Sequence, residues 1–240
     1  MRKSLREVRK KERMTEHHSK AVALFREFIL GGQDGLVNVL GVILGIAVAT
    51  SDVKLVIIAG LAAAFAESFS MAAVAYTSAK AEEDYYHSEE NRESTEINTV
   101  PKLEEKEVYD VFYKKGFRGK LLNDMVRTIV ADKKMWLDIM MRDELGLSIT
   151  LIHPIKSAIV VGLAAIIGSM IPLMTFFFLP VTTAIIYSLI ISAIALFITG
   201  AIEGKMTVGK WVKKGIQLMA IGMAAAGIGF IVGKVLGVSV

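Results

Sequence analysis

The chain has 240 residues, of which 53% are hydrophobic, with a mean hydropathy of +0.51, no cysteine and a formal charge of +4. That is too apolar for an ordinary soluble domain and points to a multi-span membrane protein. Without cysteine there is no disulfide framework and no thiolate metal site, so any bound metal must take oxygen, imidazole or thioether ligands.

Residues 1–27 are rich in Lys and Arg and lack the short apolar core and cleavage site of a secretory signal. They predict a basic cytoplasmic segment, a solvated helix or tail rather than one with a specific lipid-binding or nucleic-acid role. A bilayer core of about 30 Å takes roughly 20 mostly apolar residues per helix. Five segments meet that requirement, at 28–53, 55–79, 157–176, 179–202 and 211–236. Ser51–Lys54 and the Phe176–Pro180 corner are short enough to make tight hairpins of spans one and two and of spans three and four.

Basic residues collect in the N-terminal segment, between spans two and three, and at Lys205, Lys210, Lys213 and Lys214. By the positive-inside rule these lie on the cytoplasmic side, with the C-terminus outside. The predicted fold is an all-α membrane protein: five transmembrane helices with a cytoplasmic helical insert between spans two and three. Its domains are spans 1–2 over 28–79, the insert over 80–148 and spans 3–5 over 149–240. With no targeting segment in view, a prokaryotic cell membrane is the expected location.

Within the insert, Val108, Val111 and Phe112 form one helical stripe and Leu121, Leu122, Met125, Val126 and Ile129 another. Pro101 should open a helix, Gly116 and Gly119 should break one, and a last helix over 132–145 should stop at Gly146. Glu82, Glu89, Glu93 and Glu96 follow at intervals that place all four on one helical face. Their mutual repulsion is relieved if a cation binds between them. Glu104 and Glu107 repeat the three-residue spacing just past Pro101, near a helix N-terminus that favours anions.

Met140 and Met141 each share a face with Glu144, and thioether with carboxylate suits Fe(II) better than Ca(II) or Mg(II). On spacing alone, a solvated acidic face and core-filling methionines are the commoner explanation of both patterns. His17, His18, His87 and His153 make no metal-ligand spacing beyond the His17-His18 pair.

Inside the spans the acids are sharper signals, because an intramembrane carboxylate is costly and points to function. Asp34 follows Gly31-Gly32-Gln33, a run expected to loosen the helix, and Asn38 stands one turn on. Glu67 and Met71 are likewise one turn apart in span two. The alternative is that Asp34 caps the first span at its cytoplasmic edge. Gly41-x-x-x-Gly45 and Gly229-x-x-x-Gly233 are close-packing spacings for membrane helices.

In order and spacing these residues resemble the vacuolar iron transporter family, from Phe28 to Val240. The matching elements are Asp34-Gly35, Ser70-Met71, the Tyr76 to Tyr86 stretch, Glu93-x-x-Glu96, Val100-Pro101, Glu104-x-x-Glu107, Trp136-Leu137-Asp138 and Met140-Met141-x-x-Glu144. The resemblance implies metal ligands at Glu93, Glu96, Glu104, Glu107, Met140, Met141 and Glu144, and a transport path through Asp34 and Met71 in a homodimer. Glu67 and Asn38 join that path on their spacing. Some relatives place the second-span carboxylate two turns before the methionine, where this chain has Ala63; here Glu67 is one turn before.

The expected function is export of Fe(II), with Mn(II) and further Zn(II) or Co(II), from the cytoplasm by proton antiport, without a resident cofactor. The expected partners are metal ions, protons, the lipid bilayer and a second copy, not nucleic acid. Two alternatives stand beside it. One is a membrane-anchored metal sensor or scaffold without flux; the other is a carboxylate di-iron enzyme, against which no His stands three residues after a Glu of the insert.

Overall fold

The computed structural model describes residues 5–148, 153–206 and 209–236, with side chains of the first stretch described from Val22 onward. The His17-His18 pair and most of the N-terminal basic side chains therefore lie outside the described residues. Described secondary structure is helical: α1 (Leu5–Thr50), α2 (Val53–Thr99), α3 (Pro101–Lys114), α4 (Gly119–Val130), α5 (Lys133–Ile139), a π-helical turn (Met140–Glu144), α6 (Pro154–Leu173), a 3₁₀ turn (Met174–Phe177), α7 (Val181–Met206) and α8 (Trp211–Leu236).

Among the described residues, five helices are long and apolar enough to cross a membrane: Val22–Thr50, Val53–Thr99, Pro154–Phe177, Val181–Met206 and Trp211–Leu236. The first begins earlier than expected, which brings Glu27 within it. The second does not stop near residue 79; α2 continues to Thr99, because no Gly or Pro falls between residue 79 and Pro101. Two compact units result, Met1–Thr77 with Ile152–Val240, and Ser78–Leu151.

The membrane unit is built on glycine. A side chain at Gly31 or Gly35 would strike the carbonyl of Val161 or Ala165, and one at Gly168 would strike Gly32. The glycine-rich run therefore does not loosen α1, which stays helical throughout; it lets α6 approach to backbone contact. The Gly41/Gly45 and Gly229/Gly233 spacings mesh with one another where α1 crosses α8, as small residues do in lipid, where packing rather than hydrophobicity holds helices together. Val39, Ile43, Ala47, Val56, Ala64, Leu173, Phe176 and Ala184 make the largest buried apolar cluster in this unit.

The insert has an apolar core of its own, from Ile97, Val108, Phe112, Leu122, Val126, Ile129, Trp136 and Met140. Pro101 opens α3 in its first turn, Gly116 and Gly119 take positive φ of 100° and 59° between α3 and α4, and Gly146 follows the last turn at 67°, where only glycine escapes the left-handed penalty. Asp132 caps α5, its Oδ1 accepting from the Lys134 and Met135 amides at 2.9 and 3.2 Å. The expected last helix is a composite: Leu145 N donates to Met140 O at 3.0 Å, five residues back, so the chain widens into a π turn.

Candidate functional site

In the membrane unit, α1 carries Asp34 and Asn38, and α2 carries Glu67 and Met71. Asp34 sits 29 residues past the first described turn at Leu5, so the capping alternative fails for it. The side chains of Asp34 and Asn38 face the Glu67 carboxyl. Two carboxyls side by side in a low-dielectric bundle repel, and a cation between them removes the repulsion. Met71 follows one turn along α2, half-buried. Glu67 is thus the α2 carboxylate beside Asp34, and the position two turns before Met71 carries only the methyl of Ala63.

A second acid was not singled out from the sequence. Ser157 on α6 donates its Oγ hydrogen to Glu27 Oε1 at 2.8 Å, and Glu27 Oε2 is buried without a partner. Glu27 precedes Asp34 by seven residues, which places both on one face of α1; that spacing was the available signal.

In the insert, α2 brings Glu93 and Glu96, and α3 brings Glu104, so that one carboxylate oxygen from each lies within 4.8 Å of the others. Glu93 and Glu104 are each 2% exposed, although Glu is rarely buried without a partner. Each keeps a buried Oε2 with no hydrogen-bond partner. Bare carboxylate oxygens in this position cost several kcal/mol unless a proton or cation meets them.

The crowding is visible in proton affinity. Burial, then Glu107, Glu93, Glu96 and Glu144, push Glu104 up to about 7. Partial burial, then Glu107 and Glu93, push Glu144 up to about 7 against the opposing pull of Arg92. Burial raises Glu93 as well, opposed first by Arg92. Glu107 and Glu144 therefore belong to the same electrostatic group as the three clustered acids.

The two methionines separate. Both are buried, Met140 at 0% and Met141 at 1%; Met140 is part of the apolar cluster around Val108 and Trp136, and Met141 is not part of that cluster. Because they and Glu144 lie on a π turn, the α-helical spacing argument does not set their common face. Glu82 is solvent-exposed and His87 pairs with Glu90 at 3.1 Å, so neither extends the cluster. Among the described residues the three-acid group is the one with metal-ligand proximity; hard oxygen donors fit a divalent ion, and a thioether added to them would suit a borderline one.

Arg92, one of the few basic residues among these acids, forms a hub of ion pairs. It reaches Glu89 at 2.7 Å, Glu93 at 2.9 Å and Glu96 at 3.2 Å. Its place three residues after Glu89 and four before Glu96 is the helical spacing that lets it reach both.

Comparison with known proteins adds an independent finding. The model of the VIT family matches residues 25–234. Vacuolar iron transporter 1 of Tulipa gesneriana is 33% identical over 223 residues, covering 91% of this chain and 90% of its own. Vacuolar iron transporter 1 of Arabidopsis thaliana is 33% identical over 227 residues, covering 92% and 89%. Protein CCC1 of Saccharomyces cerevisiae is 28% identical over 225 residues, covering 88% and 68%.

Proposed function

Because the chain belongs to the VIT family, whose members are transporters and not enzymes, we propose that it exports Fe(II), and with it Mn(II), from the cytoplasm in exchange for protons. The observation that carries this reading is the facing pair of Asp34 and Glu67 beside Asn38 inside a five-span chain. A metal-sensing scaffold would have no use for a carboxyl pair within its anchor. Carboxylates must give up protons to take a metal, so one pair can carry metal one way and protons the other as access alternates.

In this reading Glu93, Glu96, Glu104, Glu107, Met141 and Glu144 collect metal from the cytoplasm before it enters the path. Met140 contributes packing instead of a ligand. The same donors accept Zn(II) and Co(II), since donor type sets preference and not exclusion. The working form is a homodimer, with the N-terminus and the insert on the cytoplasmic side. The relatives are eukaryotic and are named for the vacuole in two of the three cases compared, which speaks against a prokaryotic cell membrane.

The test is flux in proteoliposomes with an imposed pH gradient. The intact protein should move protons when Fe(II) or Mn(II) is added, and Asp34→Ala should reduce that movement by about a hundredfold or more, as expected where a transition-state-like bound intermediate loses a charged ligand worth roughly 3 kcal/mol. Coupling retained in Asp34→Ala would refute the path.

A further inference from the structure

We propose that Arg92 is a tethered cation of the insert's metal site, competing with a divalent ion for Glu93 and Glu96 and withdrawing onto Glu89 when the ion binds. The inference rests on the reading that the insert binds divalent metal, and adds the means by which the affinity of that site is set.

The geometry is lopsided. Arg92 Nη2 lies 2.9 Å from Glu93 Oε1, and Nη1 lies 3.2 and 3.4 Å from the two Glu96 oxygens. The same guanidinium gives Nε and Nη2 to Glu89 Oε2 at 3.0 and 2.7 Å. Glu93 Oε2 and Glu104 Oε2 remain buried and unpartnered. One side-chain cation thus serves the outer edge of the cluster and leaves its inner oxygens bare. A divalent ion held by Glu93, Glu96 and Glu104, whose donor atoms already stand within 4.8 Å of one another, would supply charge where Arg92 does not.

Like charges close together oppose each other, so ion and guanidinium compete for Glu93 and Glu96. Glu89 offers the retreat. It stands outside the three-acid group and already accepts two of the guanidinium's hydrogen bonds. The Arg92 side chain is 47% exposed, so a shift of its head needs no repacking of the core. If Arg92 merely braced the ligands, the fork of hydrogen bonds would make removal harmful. If it competes, removal helps, and the sign of the effect decides.

The experiment measures Mn(II) binding to the full-length protein in detergent by the spin-resonance signal of free Mn(II), with circular dichroism checking helix content. Arg92→Gln should tighten binding by about tenfold, equivalent to about 1.4 kcal/mol. Arg92→Lys, which keeps the charge, should stay within about threefold of the intact protein. Glu89→Gln should weaken binding by about threefold to tenfold, and this loss should vanish in the Arg92→Gln background, as coupled residues require.

Unchanged or weaker binding by Arg92→Gln overturns the proposal, as does a Glu89→Gln effect that persists without Arg92. Glu89→Gln carries the test by itself should Arg92→Gln fail to fold: equal or tighter binding there refutes the retreat. If instead Glu104→Gln binds Mn(II) as the intact protein does, the insert is not the metal site, and the underlying reading falls.

Discussion

The membrane bundle and the insert place carboxylates by opposite means. In the bundle, glycines bring α1 against α6 and α8 at backbone contact, and Asp34 is positioned by steric fit. In the insert, helices pack around an apolar core of their own, and Glu93 and Glu104 are buried close together against their own repulsion. A path that must pass an ion gains from fixed helix crossings. A site that must bind and release one gains from stored electrostatic tension, which metal relieves and protons partly relieve.

The largest expected effect tests the steric half. Gly168→Leu would drive a side chain into the Gly32 backbone, and overpacking of this kind costs about 3 kcal/mol or more. The protein should lose its single elution peak in detergent and its transport; unchanged thermal unfolding would show that the crossing tolerates separation. Next comes the electrostatic half. Glu104→Gln should weaken Mn(II) binding at least tenfold, roughly 1.4 kcal/mol, while leaving the membrane helices folded by circular dichroism.

The third effect is a pH dependence with a definite sign. Glu104 and Glu144 take up protons near 7 in the folded insert against 4.5 as the reference for an unperturbed carboxyl. Their raised values favour the folded state when protonated, so this stability is full below 4.5 and is lost as pH rises through 7. Thermal unfolding of the metal-free protein should fall between pH 5 and 8, and Glu104→Gln should flatten the curve. Mn(II) affinity should rise over the same interval, because binding displaces those protons. Calorimetry in buffers of different ionisation enthalpy would count them.

The smallest effect separates the methionines. Met140→Leu conserves volume in the apolar core and should cost under about 1.5 kcal/mol with metal affinity unchanged. Met141→Leu removes a buried thioether outside that core and should weaken Mn(II) binding by roughly threefold to fivefold, about 0.7 to 1 kcal/mol. Equal effects from the two would erase the distinction.

The sequence by itself determined the five spans, because about 20 apolar residues in a row have few fates other than a membrane helix. It also determined the helix breaks at Pro101, Gly116 and Gly146, where a missing N–H or a positive φ is a local property. Periodicity marked the acids that share a face, and order marked the family. Tertiary structure alone decided which of those acids meet. Glu93 and Glu96 lie on α2 and Glu104 on α3, and spacing along one helix carries no information about the approach of another. The same holds for Glu67, which proximity to Asp34 singles out. The glycines before Asp34 read as flexibility in one dimension and as contact surface in three, since a missing Cβ matters only when another backbone comes to fill its place.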